Sequence, residues 1–214
     1  MKKVIILGTA HLSTTPGKRS IDGRLREYAY SREIVSMVEQ DLKKLGYTVI
    51  VDYRPTEPMK SWTGSGWRSE QNRELAYRVS VVNQYCKKYG TGNCVYVSIH
   101  VNAAGGDGKW HNASGVAVYV SKNSSADSKR LARIYMANAI KDGLTGNRSI
   151  PKERYWSANF YVIKNTWCPA ILSENMFQDN KDDVDFLLSD EGRQAITDLH
   201  VKTIDEWART SEKV

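Results

Sequence analysis

The chain has 214 residues, of which 41% are hydrophobic and 26% are charged, and its formal net charge is +7. This ordinary globular composition excludes a disordered or low-complexity chain, so we expect one compact domain. The excess of basic residues favours a polyanionic partner, such as nucleic acid, an anionic membrane surface or a bacterial wall. No nucleic-acid recognition motif accompanies the charge, and we expect no nucleic-acid binding.

The first predicted element is a strand over Val4–Gly8, a short apolar run behind two lysines. The run is too short for a signal peptide, so we expect no export signal in this chain. No stretch approaches the roughly 18 apolar residues of a membrane span, which predicts a soluble protein without one. The 3 cysteines have no C-x-x-C spacing, which argues against a disulfide framework and a cysteine-rich zinc site.

The next elements complete a strand–helix–strand unit. His11 follows the first strand, and apolar residues at helical spacing predict a helix over residues 28–45. Tyr47–Tyr53 is predicted as the second strand, joined to the first by a right-handed crossover. Glu27 lies at the first turn of the helix, where an acidic side chain interacts favourably with the helix dipole. Its position alone therefore favours a structural role over a ligand role.

A loop over residues 54–69 carries Trp62 and Trp67 among prolines and glycines. Loops of this kind both cover sheets and carry function, so each ring either covers the sheet edge or faces a substrate. The sequence leaves both interpretations open. Residues 70–89 then predict a helix with one apolar face that ends at Gly90.

The central strand is predicted over Val95–Ala103, a continuous apolar run that contains His100. Valine and isoleucine alternate along it with Tyr96, Ser98 and His100, which indicates a strand covered on both faces. His100 would lie near the carboxyl edge of the sheet, where open α/β sheets bind ligands. A single histidine on a strand is nevertheless more often structural than a metal ligand.

The rest of the chain continues the alternation of strands and helices. We predict a glycine-rich loop (103–114), a strand (115–121), a helix (124–143), an aromatic polar loop (144–159), a strand (160–164), a strand (Ala170–Ser173), a short helix (180–188) and a final helix through Trp207. His111, in the first of these loops, either lines the mouth of a site or is a solvated histidine, the commoner case. The pattern predicts a single α/β domain with a mostly parallel twisted sheet of about six strands and helices on both faces.

Three predicted strands end in side chains suited to metal binding or catalysis. His11 follows the first strand, His100 lies near the end of the central strand, and Glu174 follows Ala170–Ser173 directly. If these strands are neighbours in a parallel sheet, their carboxyl ends converge and the three residues form one site.

The order of these residues resembles that of the zinc-dependent N-acetylmuramoyl-L-alanine amidases of the amidase-3 family. The resemblance rests on a histidine after the first strand, a glutamate before the first helix, an S-x-H-x-N motif and a late E-x-x-F-x-x-N motif. In this chain these are His11, Glu27, Ser98 with His100 and Asn102, and Glu174 with Phe177 and Asn180. Arg78 and Asn83 match the R-x-x-x-x-N helix of the family, so the resemblance spans nearly the whole chain.

The resemblance implies that His11, Glu27 and His100 bind Zn²⁺ and that Glu174 is the catalytic carboxylate. Two imidazoles and one carboxylate leave the fourth position of a tetrahedral zinc ion open, which is the catalytic arrangement. The implied substrate is bacterial peptidoglycan, and the bond cut joins the lactyl group of N-acetylmuramic acid to L-alanine.

By the same resemblance, residues 1–210 form the catalytic domain and residues 211–214 a C-terminal tail. The enzyme would act at the bacterial cell wall or in the periplasm, and the oligomeric state stays open. Without a signal peptide, a phage or prophage endolysin released through a holin is the favoured setting, and a wall hydrolase whose leader was removed is the alternative. Around the first ligand, Gly8–Leu12 replaces the family's D-P-G-H-G turn with less constrained residues.

Two other classes of function remain open. Another zinc peptidase, such as a carboxypeptidase, would use the same two histidines and two glutamates on a different bond. A catalytically silent wall-binding domain would lack a ligand or Glu174, whereas all four residues are present in this chain.

Overall fold

The computed structural model describes residues 3–64 and 66–210, and the predicted tail at 211–214 lies outside them. The strands are β1 (Val4–Thr9), β2 (Thr48–Val51), β3 (Cys94–Asn102), β4 (Ala117–Val120), β5 (Trp156–Ser157) and β6 (Ala170–Phe177). The helices are α1 (Glu27–Lys44), α2 (Trp67–Tyr89), α3 (Ala126–Lys141), α4 (Tyr161–Asn165), α5 (Lys181–Leu187) and α6 (Asp190–Thr210).

All six of these strands join one sheet in the order β2-β1-β3-β6-β4-β5. The first four strands of that order are parallel to one another, whereas β4 runs antiparallel to β6 and β5 is parallel to β4. The predicted mostly parallel α/β sheet is therefore confirmed. Because β1, β3 and β6 are adjacent, their carboxyl ends meet at one edge of the sheet, which we call the site edge.

Helices cover both faces of the sheet. One core contains α1, α3, α5 and α6, and the other contains α2 and α4. Alternate residues of β3 enter the two cores: Val95, Val97, Ile99 and Val101 enter the first, and Cys94 and Tyr96 the second. A strand buried on both faces needs apolar side chains at successive positions, which explains the continuous apolar run.

The segment 160–164, predicted as a strand, is instead the short helix α4. Its adjacent residues Val162 and Ile163 are both buried, whereas a strand would direct them to opposite faces. At the end of α4, the side-chain amide of Asn83 donates a hydrogen bond to the carbonyl of Asn165 (3.1 Å). A five-residue apolar run is too short for its periodicity to separate a strand from a helix.

Strand β5 lies inside the predicted loop 144–159. It has only 2 residues, which are too few to show an alternating pattern. Most element boundaries also differ from the prediction by one or more residues. Helix α2 begins at Trp67 rather than at residue 70, and β6 continues beyond Ser173 to Phe177. Glu174 therefore lies within a strand and not after it.

The described helices include none that combines the length and the apolar character needed to cross a lipid bilayer. The three cysteines, Cys86, Cys94 and Cys168, are buried as free thiols. Cys86 packs on the apolar face of α2, as its helical spacing predicts.

Candidate metal centre

The site edge brings His11, Glu27 and His100 together. One potential ligand atom from each residue lies within 4.8 Å of those of the other two. Nε2 of His11 is 3.3 Å from Oε2 of Glu27, and Nδ1 of His100 is 3.0 Å from Oε1 of the same carboxylate. The three residues that the family resemblance implies as metal ligands therefore surround one point.

His11 is presented by a turn that follows β1. Its backbone has a φ of 44°, in the left-handed region that non-glycine residues seldom adopt. The hydroxyl of Thr9 donates to the carbonyl of Tyr53 (2.6 Å), and the N–H of Thr9 donates to Oδ1 of Asp52 (3.1 Å). Hydrogen bonds to the end of β2 thus hold the turn that the family forms with proline and glycine.

Two side chains of α1 hold the same turn from the other side. The hydroxyl of Ser31 accepts from the N–H of Ala10 (2.8 Å) and donates to the carbonyl of Ile99 (2.6 Å), which links the turn to β3. The guanidinium of Arg32 donates to the carbonyls of Ala10 (2.9 Å) and His11 (3.0 Å). Neither residue was predicted from the sequence, although a serine inside the apolar face of α1 is a signal that would have identified one.

Arg78, which matches the family's helix motif, supports the turn from α2. Its Nη1 lies 2.6 Å from Oδ1 of Asp52 and donates to the hydroxyl of Thr9 (2.8 Å). Its Nε donates to Glu74 (2.8 Å), one helical turn earlier. The arginine and both carboxylates are buried, and neither carboxylate belongs to the metal cluster found among the described residues, so this network supports the turn without joining the candidate site.

Further hydrogen bonds fix the side chains of Glu27 and His100. Oε1 of Glu27 accepts the N–H of Val101 (3.1 Å), and Nε2 of His100 is 3.1 Å from the hydroxyl of Ser98. Metal-binding histidines commonly hold their second nitrogen in this way, which fixes the ring orientation. Burial lowers the pKa of His100, although the Glu27 carboxylate opposes this, so the imidazole is neutral at pH 7 and able to bind a metal.

The other carboxylate oxygen of Glu27 makes the site suitable for a cation. Oε2 is buried and accepts no hydrogen bond, with Nζ of Lys18 3.8 Å away. Burial raises the pKa of Glu27, but the electrostatic effect of the two neighbouring histidines and the hydrogen bond with His100 outweigh it and hold the pKa well below its usual range. A buried charged oxygen without a donor is unfavourable unless a cation binds it. This oxygen and two imidazoles form a donor set that fits zinc.

Glu174 lies beside this cluster, in register with His100 on the neighbouring strand. One carboxyl oxygen of Glu174 is buried and has no hydrogen-bond partner. Burial and, next, the negative charge of Glu27 raise the pKa of Glu174 well above its usual range. The two carboxyl groups therefore have pKa values shifted in opposite directions, a pattern typical of sites that need one anion and one proton carrier.

A β-bulge follows Glu174 at the site edge. His100 pairs with Glu174, but Asn102 pairs with Phe177, so β6 contains one more residue than β3 over this interval. The side-chain amide of Asn175, inside the bulge, donates to the carbonyl of His100 (2.8 Å). The bulge thereby ties the strand of Glu174 to that of a candidate ligand, and the sequence analysis did not identify Asn175.

The remaining candidates lie outside the cluster. Trp62 is buried and packs against Tyr53, so its ring covers the sheet edge, whereas Trp67 is 42% exposed at the start of α2. His111 pairs with Asp107 of its own loop (2.9 Å) and is not part of the metal cluster found among the described residues.

Comparison with known proteins identifies the class to which this fold and site belong. The family model described as N-acetylmuramoyl-L-alanine amidase matches residues 5–206, so this chain belongs to that family. The fold is similar to that of the CwlD amidase from Clostridioides difficile, whose structure was solved in complex with the GerS lipoprotein. The TM-score is 0.81 at 20% identity, over 97% of this chain and 99% of that chain. At this identity the similarity shows a shared fold.

Curated relatives are similar over part of their length. The chain is 30% identical over 132 residues to the N-acetylmuramoyl-L-alanine amidase CwlM of Bacillus licheniformis, covering 62% of this chain and 45% of that protein. It is 28% identical over 120 residues to the endolysin of Bacillus phage SPP1, covering 56% of this chain and 42% of the endolysin. The chain thus spans about half the length of the curated relatives it matches.

Proposed function

We propose that residues 1–210 form the catalytic domain of a zinc-dependent peptidoglycan amidase. The bond hydrolysed is the amide between the lactyl group of N-acetylmuramic acid and L-alanine. One observation carries the proposal: His11, Glu27 and His100 cluster at the site edge, with Glu174 in register beside them, in a chain of the amidase family.

In this proposal His11 and His100 supply nitrogen donors and Glu27 supplies the anionic oxygen. Three protein ligands leave one coordination position for solvent or substrate. When bound there, zinc supplies Lewis acidity, which polarises a carbonyl and lowers the pKa of water to about 7. Ser98 and the N–H of Val101 hold the ligand side chains in orientation.

Glu174 carries the proton in this reaction. It takes a proton from the water molecule whose oxygen bonds to the scissile carbonyl carbon. It then gives that proton to the amine of L-alanine as the carbon–nitrogen bond breaks. The raised pKa supports this role, because a carboxyl group of this kind holds a proton between the two steps. General acid–base catalysis of this type typically contributes about a hundredfold or more in rate.

We assign the activity to the bacterial cell wall. The similar proteins include an endolysin and an N-acetylmuramoyl-L-alanine amidase, and a net charge of +7 favours association with anionic wall polymers. Among wall hydrolases, a phage or prophage endolysin is the setting that we favour.

The test combines metal content with identification of the bond cut. Zinc is quantified per chain, and purified peptidoglycan is digested and assayed for new L-alanine amino termini. We expect close to one zinc ion per chain and release of these termini. Zinc binding with a different cut bond, identified by mass spectrometry of the muropeptides, would indicate another peptidase. Zinc binding without cleavage would indicate a silent wall-binding domain, and absence of zinc binding would contradict the metal assignment.

A further inference from the structure

The guanidinium group of Arg148 lies near the site edge and has no anionic partner in the part of the chain that the structure describes. It lies over two aromatic rings, 4.7 Å from the centroid of Trp156 and 5.1 Å from that of Phe177. Across residues 3–64 and 66–210, no acidic side chain pairs with it, and its Nε is buried without a hydrogen-bond partner. A buried donor that lacks a partner costs free energy, so its retention calls for an explanation.

Stacking alone does not account for the unpaired donors. Arg130 also stacks on an aromatic ring, with its guanidinium 5.1 Å from the centroid of Trp207. That guanidinium donates to the carbonyl of Trp207 (3.2 Å) and to the hydroxyl of Thr210 (2.6 Å). Arg148 has the same packing without the hydrogen bonds. Its Nε is enclosed, so the donors open to a ligand are those of Nη1 and Nη2.

The position of Arg148 relates these donors to the candidate reaction centre. Phe177, on which it stacks, lies on β6 directly beyond the bulge that follows Glu174. The charge of Arg148 also acts on Glu174, opposing the rise in the pKa of that carboxyl group caused by burial and Glu27. A ligand group bound by Arg148 would therefore lie close to the bond being cut.

The loop that carries Arg148 is anchored directly before it. Asn147 accepts from the N–H of Ser114 (3.0 Å) and donates to the carbonyl of Asn112 (2.6 Å). Gly146 packs so closely on Gly115 that a Cβ at either position would lie 2.6 Å or less from the facing backbone. Two rings and an anchored loop hold the guanidinium in place, so little conformational entropy is lost when it binds an anion.

We propose that Arg148 binds a carboxylate of the peptide stem on the leaving-group side of the scissile amide. The proposal rests on the proposed amidase function, in which the stem carboxylates all lie on the L-alanine side of the bond. The planar fork of a guanidinium matches a carboxylate with two parallel hydrogen bonds. The first such group after L-alanine belongs to the second stem residue, a glutamate linked through its side chain. Arg148 then favours stems in which this group is free over stems in which it is amidated.

The test uses the zinc-loaded enzyme and two synthetic muramoyl peptides that differ only at the second residue, with a free carboxylate or a carboxamide. The wild-type enzyme should cleave the free acid with a kcat/KM roughly tenfold or more higher, the size expected for a charge-assisted hydrogen bond. Arg148→Gln should bring this ratio close to one, chiefly through a higher KM for the acid. Arg148→Lys should retain part of the preference, because it keeps the charge without the fork.

Arg133→Gln is the matched control, because Arg133 also stacks on an aromatic ring, 5.4 Å from the centroid of Tyr155, and is exposed. It should keep the wild-type ratio. A wild-type enzyme without preference for the acid, or an Arg148→Gln variant that loses activity equally on both peptides, would overturn the proposal. Failure of the zinc-loaded wild type to cleave either peptide would instead refute the proposed amidase function, and this inference with it.

Discussion

Glu27 is buried and Glu174 is half-buried in the same site, and their surroundings stabilise different protonation states. Glu27 faces two imidazoles and accepts a backbone N–H, which favour its ionised form. Glu174 has a buried oxygen without a donor and feels the negative charge of Glu27, which favour its neutral form. The environments of the two residues therefore fit their proposed roles, Glu27 as a metal ligand and Glu174 as a proton carrier.

Replacing Glu174 should separate catalysis from metal binding. Glu174→Gln keeps the shape of the side chain but removes its ability to carry a proton, so kcat should fall about a hundredfold or more. Zinc content should stay unchanged, because Glu174 is outside the cluster of three candidate ligands. His100→Ala provides the contrast and should lose both zinc and activity. Wild-type turnover by Glu174→Gln would exclude this residue from the mechanism.

His200 should make stability depend on pH. It is buried, with Nδ1 2.7 Å from the carbonyl of Ile196 and Nε2 2.8 Å from the hydroxyl of Ser173, and burial lowers its pKa to about 4. In the unfolded chain its pKa is about 6.5, so between these values the unfolded state binds more protons. The stability contributed by neutral His200 is complete above about pH 6.5 and is lost as the pH falls towards 4, about 3 kcal/mol in all.

The measurement for His200 is urea denaturation of the wild type and His200→Gln across this pH range. Other titrating groups are common to both proteins, so the difference between the two curves reports on His200. We expect the wild type to lose more stability on acidification than the variant. Parallel curves would contradict the lowered pKa of His200.

At the scale of elements, the site depends on helix residues that are neither candidate ligands nor proton carriers. Helix α2 contributes Arg78, which pairs with Asp52 at the end of β2 and supports Thr9 in the turn before His11. Helix α1 contributes Ser31 and Arg32 to the same turn. The turn thus receives from packed helices the support that a proline–glycine sequence provides locally.

Arg78→Met should destabilise the fold strongly. It leaves Asp52 and Glu74 buried without their positive partner, and removing one member of a buried ion pair typically costs about 3–5 kcal/mol. Lys87→Met, at an exposed position of the same helix, is the control and should change stability by roughly 0.5 kcal/mol or less. Equal free energies of unfolding for the two variants would show that the buried network contributes little.

At the scale of the whole molecule, metal binding should be linked to folding. The three candidate ligands come from the turn after β1, the start of α1 and the end of β3, so a metal ion would hold these elements together. The unfolded chain has no such cluster. A ligand that binds only the folded state stabilises it in proportion to the logarithm of its concentration over Kd.

Removal of zinc by a chelator should therefore lower Tm. At a free zinc concentration about 100 times Kd, the stabilisation is about 2.7 kcal/mol, or roughly 5–10 °C for a domain of this size. Differential scanning calorimetry with and without chelator measures the shift, and His100→Ala should show none. A wild-type Tm that is insensitive to the chelator would contradict zinc binding by the folded chain.

The sequence by itself determined the elements whose pattern of apolar residues is long enough to separate a strand from a helix. The apolar run of β3 predicted a strand covered on both faces, since its alternate residues must pack into two cores. The spacing of apolar residues likewise predicted α1 and α2. His11 and His100 were expected near the ends of parallel strands, and the parallel pairing of β1 with β3 brings those ends to one edge.

Only the tertiary structure decided the features that depend on contacts between distant segments. Helix α4 and strand β5 are shorter than the pattern needed to assign them, so packing determines their form. The bulge after Glu174 depends on the register in which β6 pairs with β3. Arg148 stacks on rings from two other segments of the chain, Trp156 and Phe177. Local periodicity carries no information about such juxtapositions, which arise when the cores on both faces of the sheet pack together.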